Sequence, residues 1–141
     1  MEWIVAAVAA VLVLVAVAVL AVILLYGREQ EKTSQWIVEM WNISHGYMVR
    51  PAFYSSMVIG RETIYSYVVG ASAVEMDITI SRQHCMFYEQ YGQLFVWNMS
   101  AVNPAVLNGR RIDQPVLLQT GDRLELGNSV FLVTGISSDR V

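Results

Sequence analysis

A single cysteine, Cys85, stands in the 141 residues, so no internal disulfide can form and the chain suits a reducing compartment. Histidine is almost as scarce. His45 has no partner at a ligand spacing, and His84 adjoins Cys85, so in a strand the two would point to opposite faces and could not share a metal. No Gly-x-Ser-x-Gly elbow occurs, and Ser81, three residues before His84, comes without the orienting acid and oxyanion donors of an acyl-transfer site. The nine basic residues form no clustered stripe, which argues against a nucleic-acid partner. No internal repeat is present. These absences lead to expectations of no catalytic residues, no metal and no cofactor. They leave His84 as a core-edge histidine bonded to the backbone and Cys85 as a small buried hydrophobe.

Charge is missing altogether from Trp3 to Tyr26, a run of 24 residues rich in Ala, Val and Leu. At about 1.5 Å per residue a helix of that length reaches roughly 36 Å, enough to cross a hydrocarbon core of about 30 Å. This run accounts for much of the mean hydropathy of +0.45. A cleaved signal peptide would need a basic n-region, a shorter apolar stretch and a small-x-small site, and none of these is found. The expectation is an uncleaved transmembrane helix over 1–26. No glycine lies within the apolar run, so a GxxxG seam is excluded and a plain lipid anchor is expected. Arg28 and Lys32 follow the run and no basic residue precedes it, which places the N-terminus outside and the rest of the chain in the cytoplasm.

Residues 27–35 are a polar juxtamembrane connector, and 36–141 carry the globular domain. Beyond the span the balance is mildly acidic, with 9 basic against 11 acidic residues. There, short apolar runs alternate with turn residues. Strands are expected over 37–43, 46–49, 56–61, 64–70, 85–90, 93–99, 106–112, 116–119, 122–126 and 130–135. Asn108-Gly109 is a strong hairpin signal, because both residues tolerate positive φ. Trp36, Ile37, Met40 and Trp41 fit a helical face about as well as a strand. A strand is favoured, with both tryptophans in the core. Many short strands at close spacing predict an all-β sandwich or barrel.

Within this pattern Ser81-Arg82-Gln83-His84 puts a hydroxyl beside a guanidinium, a pairing that can bind phosphate through charge-assisted hydrogen bonds. Gly60-Arg61 after an apolar strand, Ser81 and His84 at the Ser-x-x-His spacing, and an asparagine-bearing loop with Asn103 ending in Asn108-Gly109 together resemble the forkhead-associated (FHA) domain. The resemblance extends from Trp36 to Val133 and includes the Gly-Asp turn near Asp122. It implies a β-sandwich of about eleven strands whose loops at one end bind phosphothreonine peptides. Carried onto this sequence, Arg61 would hold the phosphate or its loop, Ser81 would donate its hydroxyl, Arg82 would add positive charge and Asn103 would bond the peptide backbone. Gly60, His84, Asn108 and Gly109 would brace the loops.

A second register, with Gly70 as the family glycine and Ala71 in the arginine position, stays open. It loses the arginine that Gly60-Arg61 keeps. Where the family commonly has Thr-Asn-Gly-Thr, this chain has Val102-Asn103-Pro104-Ala105, so one hydroxyl and one backbone N–H are missing. Two functions follow from the resemblance. One is a membrane-tethered phosphothreonine reader recruiting a kinase-phosphorylated protein to the cytoplasmic face. The other is a degenerate, phosphate-independent scaffold in an envelope or cell-division complex.

Overall fold

The computed structural model describes residues 1–30 (side chains to Leu25), 34–70 and 74–139. Lys32 and Ala71, which bear on orientation and on the second register, lie outside the described residues. The chain divides into two compact units, 1–33 and 34–141.

The first unit is helix α1, Glu2–Gln30. Its Glu2–Leu25 stretch is long and apolar enough to cross a membrane, and none of it is buried within the protein. The helix continues past Tyr26, so part of the polar connector is helical.

In the second unit, alternation of apolar and polar residues builds two antiparallel sheets. Eleven strands are present among the described residues: β1 (Gln35–Asn42), β2 (Tyr47–Val49), β3 (Ala52–Tyr54), β4 (Ser56–Ile59), β5 (Cys85–Gln90), β6 (Gln93–Asn98), β7 (Val106–Leu107), β8 (Arg110–Arg111), β9 (Val116–Leu117), β10 (Arg123–Leu126) and β11 (Ser129–Ser138). The seven-stranded sheet runs β2-β1-β11-β10-β7-β8, with β3 also paired to β1, and the four-stranded sheet runs β4-β5-β6-β9. Their inner faces share one core. Val38, Met40, Val49, Phe131, Val133, Leu124 and Leu126 come from the larger sheet, and Ile59, Phe87 and Val96 from the smaller, all without solvent exposure. Burying each such side chain contributes about 1.5–3 kcal/mol.

Three expectations are corrected. Residues 64–70 are not a strand: Arg61–Ser66 forms helix α2, closed by Ile64 N–H donating to the Gly60 carbonyl at 3.0 Å. Ile64, Tyr67 and Val68 stand at the i, i+3, i+4 spacing of a helical face as well as alternating like a strand, and these are the three that pack against the core. Val68 retains only an isolated bridge to Val49. Strand β3 was not anticipated, because Pro51 before it reads as a break. β3 pairs only with β1, the edge setting in which a neighbouring proline is tolerated. Trp36 is buried, with its indole N–H donating to Glu89 Oε2 at 2.8 Å, but Trp41 is 39% exposed. With Met40 and Asn42 facing inward, alternation turns Trp41 out.

Chain direction separates the ends of the sandwich. β4, β6 and β10 run toward the loops holding Gly60, Asn103 and Gly127, and β5 returns from Ser81 to Tyr91. Gln35, where the domain begins, pairs with Tyr54 at the opposite end.

Candidate phosphate-binding site

Four loops meet at one end of the sandwich, and the 77–84 segment is fixed by its neighbours before any side chain is free to recognise a ligand. At Gly60 a Cβ would stand 1.8 Å from the Arg82 carbonyl oxygen, so only hydrogen fits between the two backbones. Arg61 N–H donates to the Ser81 carbonyl at 3.1 Å and His84 N–H to the Ile59 carbonyl at 3.0 Å, so β4 and the loop are stitched in register. The Arg61 side chain completes the clamp: Nε donates to the Ile80 carbonyl and Nη2 to the Ile78 carbonyl, each at 3.0 Å. Arg61 thus spends its backbone N–H, Nε and Nη2 on the carbonyls of this loop.

His84 is wholly buried, and its Nδ1 accepts the Ser81 N–H at 3.0 Å. Nδ1 must therefore be unprotonated. Burial lowers the imidazole pKa below the ordinary histidine range, opposed in part by the nearby Asn103 backbone. Cys85, next along, is fully buried, which pushes its thiol far above the usual range and makes it inert.

The loop surface carries the chemistry. Ser81 is half-buried, its Oγ 3.3 Å from that of Ser100, and Arg82 beside it is exposed. Ser100 Oγ also accepts the Asn103 N–H at 3.1 Å, and Asn103 Nδ2 donates to the Thr79 carbonyl at 2.8 Å. Asn103 thus ties the two loops together through one of its amide hydrogens. Asn98 shapes the base of its loop by accepting the Ala105 N–H at 2.9 Å. At the tip, Val102 is 97% exposed.

The sequence reading passed over three residues that build this site: Ser100, Thr79 and Asp77. Asp77 Oδ1 accepts both the backbone N–H and the hydroxyl of Thr79, at 2.9 and 2.6 Å, and Oδ2 accepts the Ser129 hydroxyl at 2.5 Å. Burial pushes this carboxyl up, but those donors, with His45 nearby, more than offset it and hold Asp77 below the usual carboxylate range. Thr79 Oγ1 accepts the Asn128 N–H at 2.8 Å, and a Cβ at Gly127 would lie 2.3 Å from the Thr79 carbonyl oxygen. An Asp-x-Thr sequence is a recognisable side-chain-to-backbone turn, and that signal was available in the sequence.

Gly60, Arg61, Ser81, Arg82, His84 and Asn103 are brought together. Asn108 and Gly109 are not. They form the β7–β8 turn, with φ of 51° and 82°, at the other end of β10. Asn108 Nδ2 donates to Asp122 Oδ1 and its Oδ1 accepts the Arg123 N–H, both at 2.9 Å. They brace the distal turns instead of the site.

The FHA domain family profile matches residues 57–127, which takes in both the site and the distal hairpin. The chain belongs to the FHA domain family. Among curated proteins none matches. Among solved structures, Mycobacterium tuberculosis EmbR in complex with a low-affinity phosphopeptide is 18% identical with a TM-score of 0.51, over 70% of this chain and 25% of that one. The FHA domain of CT664 from Chlamydia trachomatis is 18% identical, TM-score 0.49, over 72% and 97%. The FHA domain of human APLF in complex with an XRCC1 bisphospho peptide is 21% identical, TM-score 0.48, over 70% and 98%. Likeness at this level concerns the fold. What this FHA domain recognises has to be argued from its own loops.

Proposed function

We propose that this chain is a membrane-tethered reader of phosphothreonine peptides that recruits a protein phosphorylated by a serine/threonine kinase to the cytoplasmic face of the membrane. One observation carries the reading: half-buried Ser81 and exposed Arg82 are consecutive on a loop whose backbone is pinned by Gly60, Arg61 and His84. A phosphate brings about −1.5 to −2 charge and three acceptor oxygens, which a hydroxyl and a planar guanidinium can meet without the loop reorganising. Asn103 would hold the peptide backbone through its remaining amide groups. Helix α1 would supply the anchor, its apolar stretch having the length and composition of a span.

A second reading has its own support. Val102 offers no hydroxyl at the loop tip, and Pro104 no N–H, which favours a phosphate-independent scaffold. Titration of the fragment from Gly27 onward with a degenerate phosphothreonine library and its unphosphorylated counterpart, followed by anisotropy, separates the two. The reader binds only the phosphorylated library, with Kd in the µM range, about −8 kcal/mol. Ser81→Ala then weakens it by about 1.5–3 kcal/mol, the worth of a hydrogen bond to a charged group. Equal binding of both libraries by the folded fragment, or binding indifferent to Ser81→Ala, returns the assignment to the scaffold.

A further inference from the structure

The end of the sandwich away from Ser81 is where the domain begins, and it carries two tyrosines that the fold leaves bare. Tyr91, in the turn between β5 and β6, is 90% exposed, and Tyr54, in the turn between β3 and β4, is 60% exposed. Local bonding holds both turns beside the first residues of the domain. Gln35 pairs with Tyr54, the Trp36 indole N–H donates to Glu89 Oε2 at 2.8 Å, and the Glu89 N–H donates to the Ser55 carbonyl at 2.8 Å. Tyr91 follows Glu89 by two residues, just past the closing pair of Gln90 with Gln93. Its backbone is unusual. Tyr91 and Gly92 have φ of 55° and 73°, the paired left-handed geometry of a two-residue hairpin turn, which asparagine or aspartate before glycine fills most readily. A bulky side chain in that conformation is strained, and with the ring in solvent, packing within the domain does not offset the strain.

We propose that this end of the domain docks on the lipid bilayer, with the Tyr91 and Tyr54 rings in the headgroup interface. A tyrosine has an apolar body and a polar tip, which suits a layer that is apolar on one side and wet on the other. The chain delivers both rings to that layer. Helix α1 runs from the end of the apolar stretch at Leu25 to Gln30, a rise of about 7.5 Å. The steps from Gln30 to Gln35 span at most about 18 Å, so the start of the domain stays within roughly 25 Å of the hydrocarbon edge. Two rings make a weak contact, but a tether of that reach keeps them at high effective concentration beside the lipid. Two carboxylates at this end are already engaged, Glu89 by the Trp36 indole and Asp139 by the Gln35 N–H. A tether alone would let the domain tip in any direction. Docking by this end turns the loops that carry Ser81 and Asn103 away from the bilayer, where a partner can reach them. The inference rests on the anchor in the function proposed above and is independent of whether the loops read phosphate.

The test uses the full chain in phosphatidylcholine liposomes that include a lipid with a nitroxide on its headgroup, with insertion checked by carbonate extraction. Cys85 is buried, so a thiol-reactive fluorophore attaches only at an introduced cysteine, either Gln93→Cys beside Tyr91 or Val102→Cys at the opposite end. The nitroxide is expected to quench the dye on Gln93→Cys and not the dye on Val102→Cys. Adding Tyr91→Asn and Tyr54→Ser is expected to abolish that difference. Asparagine suits the left-handed turn, so Tyr91→Asn is also expected to raise the urea midpoint of the domain, which separates lost docking from lost folding. Carbonate-extractable protein refutes the anchor and this inference with it. Equal quenching of the two labels with both tyrosines present, a difference that survives their replacement, or a midpoint lowered by Tyr91→Asn overturns the docking alone.

Discussion

Replacing Gly60 by alanine tests how the site is built. Gly60 has φ −151° and ψ −170°, an extended conformation open to any residue, so the glycine is needed for space and not for its backbone freedom. A Cβ there lies 1.8 Å from the Arg82 carbonyl oxygen and 2.5 Å from its carbon. Ordinary contact is nearer 3.4 Å, so the loop must retreat by more than an ångström, and the obstacle is backbone that cannot rotate away. The retreat would break the Arg61 N–H bond to the Ser81 carbonyl and displace Ser81 itself. The expected cost is about 3 kcal/mol or more, the upper end for overpacking. With an m-value of about 1.5 kcal/mol/M, the urea midpoint of the fragment from Gly27 onward falls by about 2 M, and phosphopeptide binding is lost with it. Gly70 is the control that also resolves the register. It has φ +68° and nothing within 4 Å of its absent Cβ, so Gly70→Ala costs only the backbone strain of about 1 kcal/mol and spares binding. If Gly60→Ala keeps both its midpoint and its ligand, the close approach is not what positions the Ser81 loop. If Gly70→Ala is the variant that loses binding, the family glycine is Gly70.

The two arginines of the site should separate in the same assays. Arg82→Ala should lose binding with an unchanged urea midpoint, whereas Arg61→Ala should lose about 1–3 kcal/mol of stability along with binding, because its guanidinium holds the Ile78 and Ile80 carbonyls. A stable Arg61→Ala that fails only to bind would restore Arg61 as a direct phosphate ligand. Stability should also fall on acidification in two stages. His84, depressed in the folded state, stays neutral while the unfolded chain takes up a proton, so stability is lost as pH drops below about 6.5; Asp77, also depressed, contributes stability above its ordinary 3.8 that disappears as pH falls through its lower folded value. Urea melts at pH 7.5, 5.5 and 3 follow this, and a flat response between 7.5 and 5.5 would contradict the buried neutral His84. Asn108→Ala should cost about 1–2 kcal/mol through its lost bonds to Asp122 and Arg123 yet leave phosphopeptide affinity intact, and a loss of affinity would place the distal hairpin in the site after all.

The strands that follow strict alternation could be read from the sequence because one face of each meets the shared core. β5 and β6 are the clearest cases, with Cys85, Phe87, Leu94 and Val96 inward and Met86, Tyr88, Phe95 and Trp97 outward. The stretch from Ile64 to Val68 could not be resolved that way, because its apolar residues satisfy both periods at once. What decides between them is Gly60, whose carbonyl receives the Ile64 N–H, a tertiary consequence of the close approach to Arg82. Trp41 misleads for a related reason. Composition says that an aromatic near a sandwich belongs inside, but the parity of β1 places Met40 and Asn42 inward and leaves Trp41 no choice.

The two asparagines show where reading the site from sequence ends. Asn103 and Asn108 lie five residues apart in one loop-and-hairpin segment, and both are turn residues with the same side chain. Position along the chain gives no reason to send them to opposite ends of β10. Their partners do: Asn103 reaches back 24 residues to the Thr79 carbonyl, and Asn108 reaches forward 14 to Asp122. The two residues of β7, Val106 and Leu107, set against Glu125 and Leu124, separate these destinations, because even so short a strand carries the chain away from the loop end. The same logic divides Arg61 from Arg82. A guanidinium at the start of a helix, facing a loop that must hold several carbonyls in a curve, is recruited to those carbonyls, whereas one at the exposed crest of that loop is left for solvent or ligand. Residue type therefore points to the chemistry of the site. Only the three-dimensional bonding separates Arg61 and His84, which are bonded to the loop backbone, from Ser81 and Arg82, whose side chains stand at the loop surface.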